Sequence, residues 1–171
     1  MCTFSPGRSL FLLILLMVGS CAVIQEVSPP PVQPVGGGSP AELAEIEAQV
    51  HQLINEHRTA QGLAPLVFSP AIAEIARGHS QAMAEQREPF GHGGFDERAE
   101  AIRRVVAYRA LSENVAWNNH SRSATAEVAA RGWIQSSGHR RNLEGPYTVT
   151  GIGVVRDARG AFHYTQIFVA R

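Results

Sequence analysis

Residues 149–170 read VTGIGVVRDARGAFHYTQIFVA. Two runs dominated by β-branched and aromatic residues, Val149 to Arg156 and Phe162 to Ala170, flank the turn-forming segment Asp157, Ala158, Arg159, Gly160. That pattern predicts two antiparallel strands closing the chain. Side chains alternate along a strand, so His163 shares a face with Thr165, Ile167 and Val169.

Upstream of this hairpin the periodicity is helical. Ser39, Pro40 and Glu42 supply an N-cap, a first-turn proline and a capping-box glutamate. Leu43, Ile46, Val50, Leu53, Ile54 and His57 then recur at helical spacing, which predicts a helix to about Ala60, stopped by Gly62. Ser69 and Pro70 repeat the start signal, and Ile72, Ile75, Ala76, His79 and Met83 continue a second helix to about Gln86. Glu88 to Phe95, rich in glycine and histidine, reads as a loop. A short helix over Asp96–Tyr108, an extended segment over Leu111–Trp117 and a third helix over Ala124–Ile134, with Val128 and Trp133 facing inward, complete the order. Helices first and a hairpin last favour an α+β sandwich over a doubly wound sheet. Trp133 and Phe168 are the expected core aromatics.

The N-terminus does not belong to this fold. Leu10 to Val18 is an unbroken apolar run of nine residues behind Arg8, far short of the roughly 20 that span a bilayer. It has the order of a secretory signal. Val18, Gly19, Ser20 and Cys21 resemble a lipobox, which assigns residues 1–20 to a lipoprotein signal peptide and Cys21 to lipidation. The bland alternative is a plain signal peptide with an incidental cysteine. Residues 21–39, rich in proline and glycine, read as a tether, and residues 40–171 as the domain. Cys2 leaves with the leader and Cys21 is consumed by lipid, so no disulfide is expected. The 15 basic and 15 acidic residues become 14 and 15 when Arg8 is lost with the leader, a balance that offers no case for nucleic acid. The expected location is the cell envelope, held by the lipid on Cys21. Ala22 rather than aspartate after the cysteine favours the outer membrane in a host with two membranes. A monomer is expected.

A helix carrying Asn55 and Arg58 is followed by Leu66-Val67-Phe68, Ala76 to Met83, His92 and Ser112-Glu113-Asn114-Val115-Ala116. Trp133, Ser136-Ser137-Gly138-His139-Arg140 and His163-Tyr164-Thr165-Gln166 come next. In this order they resemble the CAP superfamily, which groups cysteine-rich secretory proteins, antigen 5 and plant pathogenesis-related proteins; the resemblance covers residues 45–170. It implies a three-layer α-β-α sandwich with a mainly antiparallel sheet and helices on both faces. It also implies a cleft of two histidines and two glutamates that in some members holds a divalent metal. His92 falls at the first histidine, Glu113 at the glutamate of the Glu-Asn motif and His163 at the second histidine. The second glutamate position, three residues after the helix tryptophan, is Ser136, and His139 stands ready to refill that space. Ser112 replaces a glycine.

The letters exclude several chemistries. No cysteine survives for a thiolate mechanism, and Ser112, Ser136 and Ser137 lack a glycine-flanked elbow. A His-Glu-x-x-His helix is missing. Acid-base work by a histidine beside a carboxylate remains, as does ligand binding. The favoured reading is a non-catalytic module that binds a lipid-like or cell-envelope ligand in a cleft of His92, Glu113, Ser136, His139 and His163. No cofactor is required, and zinc held by His92 and His163 is the one metal expected. The alternative is a weak metal-assisted hydrolase using His92, Glu113 and His163. Loss of a carboxylate at Ser136 removes charge that would attract a cation, which tilts the balance toward binding. His79, on the inner face of its helix, reads as a core histidine, and Glu113, set among apolar residues, needs a partner if buried.

Overall fold

The computed structural model describes Met1 and residues 38–171; the leader, Cys21 and most of the tether lie outside the described residues. The fold belongs to the compact unit Gln33–Arg171. Helix α1 spans Pro40–Ala60, and the expected capping box is formed, with Ser39 and Glu42 exchanging hydrogen bonds. Strand β1 is only Val67–Phe68, α2 is Pro70–Ala84, α3 is Phe95–Val105 and β2 is Ala110–Asn118. Helices α4, Thr125–Gln135, and α5, Ser137–Leu143, precede the hairpin of β3, Val149–Arg156, and β4, Phe162–Ala170.

The four strands lie in the order β1-β3-β4-β2. Strand β1 runs parallel to β3, while β3–β4 and β4–β2 are antiparallel, so the sheet is mixed but mainly antiparallel, with helices on both faces. Alternation divides the core. Ile152, Val154, Phe162, Tyr164 and Phe168 pack with Ile46, Val50 and Ile54 of α1, Trp133 of α4 and Leu143 of α5. Val149, Ile167 and Val169 pack on the other face with Ile72 and Ala76 of α2 and Ile102 of α3. Trp133 and Phe168 are both fully buried, as expected.

Helix α2 lies directly on the sheet backbone because two strand positions lack side chains. A Cβ on Gly153 would sit 2.1 Å from the Arg77 amide nitrogen, and one on Gly151 2.3 Å from that of Ala73. Ser80 then donates to the Gly153 carbonyl at 2.9 Å. The borders of the sheet are served by side chains. Past the short β1, buried Glu47 accepts the Val154 amide at 3.0 Å and is itself held by two nitrogens of Arg77 at 3.0 and 2.8 Å. On β2, the Trp133 indole donates to the Val115 carbonyl at 3.0 Å and the Asn142 amide to the Glu113 carbonyl at 3.2 Å.

Tyr164 occupies the centre of the α1/α4 layer, edge-on to Trp133 with ring centroids 6.4 Å apart. Its hydroxyl bonds to Thr125, which donates to Asn118 at 2.7 Å. Burial pushes its phenol up to about 12, against the lesser pull of the hydrogen bonds with Thr125 and Asn118. A raised folded-state value favours the protonated fold. The stability it supports is complete below the unfolded value near 10 and is lost as pH rises through about 12. Alkaline titration at 295 nm should therefore show one late phenol ionising together with loss of the fold, and Tyr164→Phe should remove the late phase. Three tyrosines ionising together near their ordinary value in an intact fold would contradict this.

Candidate functional site

The site is built outward from β2, whose alternation sends the neighbouring side chains of Glu113 and Asn114 to opposite faces. The Glu113 side chain is only 2 % exposed. A buried carboxylate needs charge compensation and hydrogen bonds, and α3 supplies both. Arg98 donates from Nε to Oε2 and from Nη2 to Oε1, each at 2.8 Å, in the bidentate geometry that a planar guanidinium favours. Gly94, at φ 69°, turns the chain into α3 and sets Arg98 one turn inside it.

The same guanidinium secures the loop that carries His92. Its Nη1 donates to the Gly93 carbonyl at 2.6 Å and to Nδ1 of His79 at 3.1 Å. His79 in turn donates from Nε2 to the Gly91 carbonyl at 2.9 Å. His79 is thus a core histidine that, together with Arg98, pins the residues on either side of His92. His92, with its side chain 52 % exposed, reaches inward to place Nδ1 at 3.0 Å from Glu113 Oε1.

On the opposite face, Asn114 donates to the His139 carbonyl at 3.1 Å and accepts from Asn142 at 2.8 Å, which fixes the start of α5. Burial, and behind it the nearby charge of His92, hold the His139 imidazole below its usual range. Ser136 forms the junction of α4 and α5. Ser136 and His139 line one end of a groove of ≈ 400 Å³ whose walls include Val115, Ala129, Gly132 and Trp133. Phe90 and Trp117, 52 % and 56 % exposed, form its aromatic rim.

Of the residues singled out in the sequence, the structure brings His92 and Glu113 into contact and sets His139 and Ser136 close by. His163 is placed elsewhere. It pairs across the strands with Trp117, four positions along β2 from Glu113, or about 13 Å at ~3.3 Å per residue. Its Nε2 lies 3.2 Å from Asp157 Oδ2 in the hairpin turn. The zinc set of His92, His163 and Glu113 is therefore not assembled. No three His, Cys, Asp or Glu side chains among the described residues are arranged to share an ion, and both Glu113 oxygens are engaged by Arg98. The residues present do not fit a zinc centre. Arg98 is the central residue that the sequence reading missed; the one signal was Glu113 itself, an acidic residue in need of a partner.

The fold has known counterparts. The model for "CAP: Cysteine-rich secretory protein family" matches residues 51–168. The chain is 36% identical over 131 residues to the Bacillus subtilis membrane protein YlbC, covering 73% of this chain and 34% of that protein. It is 29% identical over 139 residues to YkwD of the same organism, covering 78% and 50%. The chain thus spans half or less of the length of these curated relatives. Among solved structures, an extracellular protein containing an SCP domain from Bacillus anthracis superposes with a TM-score of 0.64 at 28% identity, over 80% of this chain and 45% of that one. An outer surface protein from Borrelia burgdorferi shares the fold, with a TM-score of 0.61 at 16% identity, over 74% of this chain and 93% of that one.

Proposed function

The chain belongs to the CAP, or cysteine-rich secretory protein, family, and from that premise we propose that it is a lipid-anchored, extracytoplasmic module that binds a lipid-like or cell-envelope ligand without catalysis. The observation that carries the reading is the groove beside β2. It is walled by apolar side chains and rimmed by two half-exposed aromatics; exposed apolar surface of this kind marks interaction sites. The membrane and extracellular descriptions of the Bacillus relatives support an extracytoplasmic location. Among the described residues no helix is long and apolar enough to cross a membrane; the proposed anchor is the lipid on Cys21.

Native mass spectrometry of the protein purified from its own membranes should show a co-purifying amphiphile that is lost in Trp117→Ala. A bare wild-type protein would count against the reading. For the anchor, the wild type should enter the detergent phase on partitioning and Cys21→Ser the aqueous phase; equal behaviour of the two would remove lipidation from the proposal.

A second reading has one observation in its favour. The hydrogen bond of His92 to buried Glu113 is the arrangement of a general base, which suits a weak hydrolase. That reading requires turnover abolished by His92→Ala, whereas the binding module shows none in either protein.

A further inference from the structure

We infer that the end of the domain bearing Trp117 is a membrane-facing surface, with Trp117 and Phe90 seated in the interfacial layer of the same bilayer that holds the lipid on Cys21. This rests on the anchor proposed above and states how the groove is presented: its Trp117 end opens onto the membrane.

The tether and the Trp117 end of the groove meet at one pole of the fold. The tether stops at Ser39, the cap of α1, and the first turns of that helix are held by Arg122, which pairs with Glu42 at 3.6 Å and with Glu45. Arg122 lies in the connection that leaves β2 just after Trp117 and Asn118, and Asn118 donates to the Thr125 carbonyl at the start of α4 at 3.2 Å. Across the sheet Trp117 pairs with His163, whose ring reaches Asp157 in the β3–β4 turn. Asp157 and Arg159 in turn share a recess with Glu85 and Gln86 at the C-terminus of α2. The groove runs from this pole, at Trp117, Asn118 and Val128, to Ser136 and His139.

The exposed apolar side chains are sorted by end. Within residues 38–171 the large ones are Val67, Phe90, Val105 and Trp117. Val67 pairs with Val149 at the start of β3 and Val105 closes α3 ahead of β2, which puts both valines at the far end. The two aromatics line the groove that starts at the tether's end. An aromatic ring with an apolar body and a polar tip, tryptophan above all, suits the layer between acyl chains and water. Charge offers no substitute: with Arg8 lost, 14 basic residues stand against 15 acidic, a balance with no general attraction to anionic lipid. The contact need only be weak. The 17 residues from Ala22 to Gly38 span at most about 60 Å when fully extended, and that confinement raises the effective concentration of the surface at the membrane.

The test uses the leaderless chain, in which Cys21 is the one cysteine. Its thiol is joined through a reducible disulfide to a phospholipid headgroup in phosphatidylcholine vesicles, which supplies the anchor independently of any cell. The chain has two tryptophans, and Trp133, 1 % exposed, is the internal reference. In vesicles brominated high on their acyl chains, the emission of Trp117, taken as wild type minus Trp117→Phe, should fall by about half, in keeping with an interfacial ring 56 % exposed in the fold. Trp117→Phe, which retains Trp133, should emit equally in brominated and plain vesicles, and releasing the wild-type chain with reductant should restore its emission. Equal Trp117 emission in the two vesicles overturns the inference, as does quenching that requires anionic lipid. Quenching that travels undiminished with the released chain marks a lipid lodged in the groove, which supports the binding reading and overturns the surface contact. An unquenched chain that still carries a co-purifying amphiphile in native mass spectrometry sinks the surface and leaves the binding reading standing. Equal detergent partitioning of wild type and Cys21→Ser removes the anchor and this inference with it.

Discussion

Arg98→Met should destabilise the domain by about 3–5 kcal/mol, the cost of leaving a buried charge without its partner. The Glu113 side chain is 2 % exposed. With the guanidinium gone, its oxygens keep only the contact from His92 Nδ1 at 3.0 Å. The Gly93 carbonyl and His79 Nδ1 lose their donor in the same step, so the loop bearing His92 loosens as the fold weakens. Urea unfolding monitored by circular dichroism measures the loss. The decisive comparison is the double variant Arg98→Met with Glu113→Gln, in which the charge is removed with its partner; a large part of the lost stability should return. A single-variant loss below about 1 kcal/mol would show that water or another cation already serves the carboxylate.

Trp133→Ala should cost a similar amount, about 3–5 kcal/mol, by opening a cavity in the larger core layer. The ring packs edge-on against Tyr164 and its indole holds the Val115 carbonyl at 3.0 Å, so truncation removes packing and a hydrogen bond together. Trp133→Phe divides them: it keeps most of the apolar volume and should lose about 1–3 kcal/mol for the unsatisfied carbonyl and the smaller ring. Because Trp133 also walls the groove, its truncation should weaken ligand binding even at temperatures where the fold survives. A loss under about 1 kcal/mol in Trp133→Ala would mean that the layer collapses around the gap.

How much of this was legible depended on the range of the interactions. The capping box at Ser39 and the hairpin over residues 149–170 are local, and both formed where the residues placed them. Helix α2 ends at Ala84 rather than Gln86, and Gln86 takes a positive φ of 58° beyond it. Strand β1 was invisible because two residues have no period; Val67 and Phe68 are a strand only through pairing with Val149 and Thr150. Helix α5 was missed for a related reason, since Leu143 is its one buried side chain. The face of His163 was readable from alternation, but its distance from Glu113 was set by the β2–β4 register, which no local pattern encodes. The need of Glu113 for a partner was readable too. That the partner is Arg98 follows from how α3 lies against β2, and no spacing rule links them.

The treatment of the sheet borders has a consequence for life at high local density. A strand at the margin of a sheet carries a row of main-chain donors and acceptors that can template the strand of a neighbouring molecule, and exposed margins are a common route to aggregation. Here the acceptors at Glu113 and Val115 are already taken by Asn142 and Trp133. On the far margin the donor at Val154 is taken by a buried carboxylate that also carries charge. An incoming strand would have to displace an indole to reach the Val115 carbonyl and an ion-paired carboxylate to reach the Val154 amide. At high concentration these guards should disfavour polymerisation through the sheets, and the side chains that supply them are among those that hold the helices in place.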